Sequence, residues 1–185
     1  MPSIMWDRIE GGEIGLRVSE SANSWMNRFF AFGIRKIQDE CNMASSAYCK
    51  EWILRPPTDF MIEHGMNDIT YGTGFKEMEL SFELFEPDTI HGMVVDSYFL
   101  GNERTAATTR HIQDNMNPLI TIYLKALQVT DSQIIWPGYA ESFDIIIFHE
   151  LLHACGDSPI LRKEVHDGIV RHNLMAKAIA GLLTR

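Results

Sequence analysis

The sequence lacks several features that would place a protein in a class at once. Only three of its 185 residues are cysteine, an odd number that argues against a disulfide framework and predicts reduced thiols. No apolar run approaches the length of a membrane span, and residues 1–8 lack the apolar core of a signal peptide. We therefore expect no membrane association. We expect a protein that is cytoplasmic or otherwise unexported, and a location in a virion is compatible with this.

Positive charge is also scarce. Lysine and arginine number 16 against 25 acidic residues, which leaves a formal net charge of −9. Nucleic acids and anionic membranes bind net basic surfaces, so neither is an expected partner. The 45% hydrophobic and 22% charged composition is typical of a globular protein, and the length predicts one domain over residues 1–185.

The most informative segment lies in the last quarter of the chain and contains the pattern H-E-x-x-H. Its residues are almost all apolar apart from His149, Glu150 and His153. This composition predicts a helix buried on nearly every side, with Ser142 as its N-cap and Gly156 as its C-cap. On such a helix the two histidines, four residues apart, share one face.

Two imidazoles and a carboxylate in an apolar helix need partners, because unsatisfied polar groups are costly to bury. A bound cation would supply them, since imidazole is a common zinc ligand and a glutamate beside it can move protons. We predict Zn²⁺ as cofactor, His149 and His153 as ligands, and Glu150 as the catalytic residue. The alternative is a chance match on an ordinary core helix. Cys155 should point away from the metal face and pack in the core.

The remaining segments predict helices and strands in turn. Residues 1–20, with Glu10-Gly11-Gly12-Glu13 at their centre, predict a small hairpin or a docking arm. Helical spacing runs over residues 24–54, with a break near residues 42–46. Residues 101–117 are polar and unpatterned, and His111 among them should lie at the surface. Apolar patterns typical of strands occupy three segments, residues 75–85, 91–100 and 119–129.

This order of elements predicts an α+β protein, in which a small mixed sheet packs on an N-terminal helix and on the buried motif helix. A catalytic zinc site needs three protein ligands and an open position for water, so a third ligand must come from elsewhere. The downstream candidates, in order of preference, are His166, Glu164, Asp157, Asp167 and His172.

The motif and the residues after it resemble the metzincin clan of zinc metallopeptidases. The shared features are H-E-x-x-H-x-x-G ending at Gly156, a later His166-Asp167 pair, and Asn173-Leu174-Met175. In that clan the glycine lets the chain leave the helix abruptly, a third histidine binds zinc, and a methionine in a tight turn lies beneath the metal. The resemblance implies a zincin-like fold, with His149, His153 and His166 as ligands, Glu150 as general base and Met175 as the Met-turn residue.

The chain departs from the clan pattern at the third ligand. The clan places its histidine three residues after the glycine, where this chain has Pro159, and His166 follows Gly156 by ten residues. A metzincin arrangement therefore requires an insertion over residues 157–165. The competing arrangement resembles the gluzincins, in which a glutamate is the third ligand, and Glu164 would take that role.

Together these features predict a zinc metallopeptidase that hydrolyses peptide bonds with zinc-activated water and Glu150 as general base. Its partner would be a peptide or protein substrate, extended along an edge strand from residues 91–100 or 119–129, with Tyr139 or His172 as oxyanion donor. The alternative is a non-catalytic structural or assembly protein, such as a virion or complex subunit, that keeps a zincin fold and metal and docks through its N-terminal segment. Retention of Glu150 favours the enzyme, because a structural zinc site needs no general base.

Overall fold

A computed structural model describes residues 4–42, 84–112, 117–156, 176–177 and 179–184. The chain starts with one strand and two helices, β1 (Ile4–Ile9), α1 (Gly12–Phe32) and α2 (Ile34–Asn42). The next strands are β2 (Ile90–Val95), β3 (Ala107–Ile112) and β4 (Asn117–Tyr123). Short elements follow, namely a 3₁₀ turn (Leu124–Ala126), β5 (Gln128–Val129), β6 (Ile134–Trp136), a second 3₁₀ turn (Pro137–Tyr139) and β7 (Glu141–Ser142).

The helix α3 (Phe143–Cys155) comes directly after β7, and residues 176, 177 and 179–183 are also helical. The architecture is α+β, as the order of elements predicts. Over the ranges given above, no helix combines the length and the apolar character that a membrane crossing requires.

The main sheet is mixed and has the strand order β1-β2-β4-β3. β1, β2 and β4 run parallel to one another, whereas β3 is antiparallel to β4. Val94 lies opposite Ile122 and both are fully buried, so this face of the sheet, the inner face, forms the floor of the core. Among the described strands β1 and β3 are the edges. β2 and β4, in the segments 91–100 and 119–129 that were predicted to provide an edge, each have a neighbour on both sides, so neither is an edge of this sheet. β5, at the end of the second segment, is an edge of the smaller sheet β5-β6-β7.

Both long helices pack on the inner face of this sheet. α1 contacts β1, β2 and α3, while α3 contacts β3, β4 and the small antiparallel sheet β5-β6-β7. Phe148 of α3 joins the two helices, with its ring 5.6 Å from that of Trp25 and 6.2 Å from that of Phe29. Burial of one such aromatic side chain contributes about 1.5–3 kcal/mol.

The N-terminal segment is a strand and the start of a helix, so the predicted hairpin is wrong. Gly11 and Gly12 have φ angles of 83° and 61°, and these left-handed conformations turn the chain from β1 into α1 rather than into a second strand. A Cβ at Gly15 would lie 1.8 Å from the carbonyl oxygen of Glu10. Only glycine fits this close approach. β1 is an edge strand of the main sheet and pairs with β2, which also contradicts a free docking arm.

Three other predictions change in their boundaries. The long N-terminal helix begins at Gly12 and breaks at Gly33, whose φ is 102°. α2 ends at Asn42, and the rest of the break predicted near residues 42–46 lies outside the described residues. The strand predicted over residues 91–100 ends at Val95, and the one over 119–129 is interrupted by the 3₁₀ turn. β3 lies inside the segment predicted to be unpatterned. Residues 43–54 and 75–83 of two predicted elements lie outside the described residues.

Candidate metal centre

The predicted motif helix is confirmed in position and in burial. α3 runs from Phe143 to Cys155, and all its residues are buried except Asp144 and His153. Ser142 precedes it in an extended conformation, but its hydroxyl bonds to the carboxylate of Asp144 instead of capping a helix N–H. At the other end the N–H of Gly156 donates to the carbonyl of Leu152 at 2.9 Å. The near-continuous apolar sequence therefore does form a core helix.

The two motif histidines converge on one point. Their Nε2 atoms lie 3.1 Å apart, and the ring centroids 5.0 Å apart. Two nitrogen ligands of a tetrahedral zinc ion, each about 2.0–2.1 Å from the metal, are about 3.3 Å apart. His149 is 8% exposed, while His153 is half-buried. The separation fits a shared cation, and the arrangement opens toward solvent on the His153 side.

Glu150 is buried beside this pair at 5% exposure. The hydroxyl of Thr109 on β3 donates to its Oε2 at 2.5 Å. Burial raises the pKa of Glu150 to about 7, and the hydrogen bond from Thr109 opposes that rise in part. A carboxyl group that titrates near neutrality is suited to accept and return a proton at physiological pH.

Thr109 is a site residue that the sequence does not reveal. It is 41 positions from Glu150 in the chain, and it lies in a segment predicted to have no regular structure. The signal that could have found it is the pair Thr108-Thr109, because β-branched threonine favours strands. In β3 the two hydroxyls face opposite sides of the sheet, that of Thr109 toward α3 and that of Thr108 toward Tyr123.

The third metal ligand stays a prediction. His166, its alternative Glu164, and Met175 all lie outside the described residues, as do Asp157, Asp167 and His172. Within the described ranges no group of three or more His, Cys, Asp or Glu side chains is placed to hold a metal ion. The oxyanion candidates also stay untested, because the side chain of Tyr139 is outside the described part of the chain.

His111 occupies a different place from the one predicted. It lies on β3 two residues after Thr109, opposite Pro118 of β4, and both of its ring nitrogens are buried. Alternation along the strand puts its side chain on the inner face with that of Thr109. The prediction of a surface histidine is therefore wrong.

Cys155 packs in the core, as predicted. It is fully buried, and this burial raises the pKa of its thiol far above the usual range. The thiol therefore stays protonated at physiological pH. A protonated, buried sulfur is neither a nucleophile nor a metal ligand.

A cleft of about 500 Å³ lies at the opposite end of α3 from the histidines. Arg17 and Trp25 of α1 form one wall, and Glu141, Ser142 and Asp144 form part of the other. Neither His149 nor Glu150 lines it. The cleft is thus separate from the candidate metal centre.

No family model, no curated protein and no solved structure matches this chain. The geometry of α3 and β3 is therefore the basis for any assignment of function.

Proposed function

We propose that the protein is a zinc-dependent metallopeptidase with a zincin-like fold. The observation that carries the proposal is the convergence of the His149 and His153 Nε2 atoms, 3.1 Å apart, beside a buried Glu150 on an apolar helix. An ordinary core helix has no need of three such side chains at this spacing. Zn²⁺ would be held by these two histidines and by a third ligand, His166 in the metzincin arrangement or Glu164 in the gluzincin one.

The position of β3 also supports a peptidase. β3 is an edge of the described sheet, and an edge strand presents unpaired backbone groups to which an extended peptide can add. The bond from Thr109 to Glu150 places this edge directly beside the proposed general base. A peptide bound along β3 would bring its backbone close to Glu150.

The chemistry assigned to the chain is proton transfer and orientation. Zinc, when bound, supplies a Lewis acid that makes water a stronger acid and polarises the scissile carbonyl. Glu150 accepts one proton from water as the new carbon–oxygen bond forms. It then donates that proton to the leaving nitrogen as the carbon–nitrogen bond breaks. One carboxyl with a pKa near 7 can carry out both transfers.

The first test is zinc content, measured by elemental analysis on protein purified without chelator. We expect about one zinc per chain in the parent and in Glu150→Gln, and much less in His149→Ala, because two remaining ligands bind zinc weakly. His91→Ala is the matched control, since this histidine lies on β2 and contacts Asp7 instead of α3. A parent that binds no zinc after zinc is added would refute the proposal.

The second test is hydrolysis of a proteome-derived peptide mixture, followed by mass spectrometry. Cleavage by the parent and by His91→Ala, with loss in Glu150→Gln, is the expected result. Equal cleavage by Glu150→Gln would refute the role of Glu150. Zinc binding without cleavage of any peptide would favour the structural or assembly protein with a zincin-like fold.

The third ligand is tested by zinc content in His166→Ala and Glu164→Ala. A metzincin arrangement predicts that His166→Ala loses most of its zinc and that Glu164→Ala keeps it. The reverse order would assign the ligand to the gluzincin arrangement. Equal zinc in both variants and the parent would exclude both residues.

A further inference from the structure

We propose that Thr109 is the positioning residue of Glu150, and that its hydroxyl holds carboxylate oxygen Oε2 so that proton transfer takes place at Oε1. This inference rests on the proposed peptidase function. Thr109 acts through Glu150 and does not itself contact the reacting atoms.

The contact joins the helix α3 to the strand β3, which pack against each other. Thr109 Oγ1 lies 2.5 Å from Glu150 Oε2 and 3.4 Å from the Glu150 carbonyl oxygen, so its single proton goes to the carboxylate. Glu150 is held by the buried helix α3. A hydroxyl bond to a carboxylate is charge-assisted and about twice as strong as a bond between neutral groups.

Thr109 has little freedom to move away from this contact. Its backbone is paired with Ile120 of β4, which is 1% exposed. A β-branched side chain also has few χ1 rotamers, so the backbone position largely determines where the hydroxyl points. The strand therefore presents a rigid donor to a carboxylate that has three side-chain torsions of its own.

A fixed carboxylate is what a general base in this position requires. Proton transfer needs the base within hydrogen-bond reach of its proton, and a displacement of about 1 Å can reduce the rate about 100-fold. Without this donor the buried Glu150 carboxylate could rotate about its terminal torsion. The Thr109 hydroxyl excludes that rotation by engaging one of its two oxygens.

The test compares Thr109→Val, which replaces the hydroxyl by a methyl group of similar size, with Thr109→Ser, which keeps it. For a peptide cleaved by the parent, we expect kcat in Thr109→Val to fall roughly 10- to 100-fold, with KM and zinc content unchanged. Thr109→Ser should restore kcat to within a few-fold of the parent. Thr108→Val is the matched control, since it removes the neighbouring hydroxyl that faces Tyr123 on the other side of the strand. Thr109→Ala substitutes for the valine variant if that variant does not fold.

A second readout does not depend on activity. In the metal-free protein, Thr109→Val should lower the melting temperature by roughly 3–8 °C. In a Glu150→Met background the side chain at 150 offers no oxygen, and only the backbone carbonyl, 3.4 Å away in the parent, remains to accept the hydroxyl. The same change should there have less than half that effect. This non-additivity would demonstrate the contact even if the protein cleaved no peptide, so failure of the contact and failure of the peptidase assignment are distinguishable.

Five results would overturn the proposal. Additive shifts in melting temperature would show that Thr109 and Glu150 do not interact. Unchanged kcat in Thr109→Val would show that the contact has a structural role only. A parent without peptidase activity would lead to the same conclusion. Raised KM at unchanged kcat would place Thr109 against the substrate. Failure of Thr109→Ser to restore kcat would show that the hydroxyl is not the group responsible.

Discussion

The helices α1 and α3 lie on the same face of the same sheet but bury their residues in different ways. α1 has one buried stripe, which includes Val18, Ala22 and Met26, while Ile14 and Leu16 on its other side are 50% and 52% exposed. α3 is buried almost all round. A polar side chain can turn to water from most positions on α1, but from few positions on α3.

Buried polar residues on the two helices therefore mean different things. The one on α1, Ser19, donates to the carbonyl of Leu16 at 2.8 Å and is satisfied within its own helix. On α3, Glu150 accepts from Thr109 of another element, β3, and the ring of His149 meets that of His153 one turn along the same helix. A bond to the backbone of the same helix indicates a structural role, whereas buried polar side chains that meet other polar side chains indicate a site.

The largest expected effect concerns the contact between the two helices. Phe148→Ala should lower the free energy of unfolding by about 3–5 kcal/mol, because it leaves a cavity between Trp25 and Phe29. The measurement is chemical denaturation of the metal-free protein. Phe32→Ala on α1 is the control, since this ring is only half-buried and should cost less than half as much. Similar losses for the two phenylalanines would remove the distinction between the helices.

Zinc should stabilise the protein through α3. A metal that binds only the folded state at a thousand-fold excess over its Kd adds about 4 kcal/mol, so chelation should lower the melting temperature. His149→Ala should melt at the same temperature with and without chelator, whereas His91→Ala should respond like the parent. If chelator did not change the melting temperature of the parent, the polar residues of α3 would have a structural role only.

The stability of the metal-free protein should depend on pH through Glu150. The pKa of this carboxyl rises from 4.5 to about 7 on folding, so folding favours its protonated form. Below pH 4.5 the carboxyl is protonated in both the folded and the unfolded state, so its contribution to stability is fully present. The free energy of unfolding then falls as the pH rises from 4.5 through 7, and this contribution is constant once the pH is above the folded-state pKa. The loss is about 3 kcal/mol.

Denaturation of the parent and of Glu150→Gln across pH 4–8 measures this contribution as a difference between the two proteins. The amide does not titrate, so stability in the variant should decline less with pH over this window. Glu20→Gln, an exposed change on α1, should reproduce the parental curve. Parallel curves for the parent and Glu150→Gln would show that the carboxyl is not buried in solution.

The sequence predicts best those features that depend on residues within a single segment. The α3 helix, its end before Gly156 and the buried Cys155 all follow from a continuous apolar run with a glycine after it. Ser142 stands at the N-cap position, but its hydroxyl does not cap the helix. The approach of the two histidines follows from helical periodicity. Each of these features depends on residues within one helix.

Features that depend on distant partners were not predictable in this way. Gly11-Gly12 suits a hairpin as well as a strand-to-helix turn, and the choice depends on the pairing of β1 with β2, more than 80 residues later in sequence. Thr109 became part of the site because β3 pairs with β4 and then contacts α3. The residue pattern around Gly11-Gly12 does not indicate that β1 will pair with β2, and the pattern around Thr109 does not indicate that β3 will contact α3.

The smallest expected effect concerns Ser19, the buried polar residue of α1. Ser19→Ala removes a buried hydroxyl from α1, yet it should change the free energy of unfolding by less than about 1 kcal/mol, because the Leu16 carbonyl lies in a regular helix and alanine has the higher helix propensity. Chemical denaturation of Ser19→Ala and of Glu150→Met in the same experiment compares the loss of a buried polar group from α1 with the loss of one from α3. A loss of several kcal/mol from Ser19→Ala would mean that α1 also holds a buried polar group on which the fold depends. A small change would leave α3 as the helix whose buried polar residues take other polar side chains as partners.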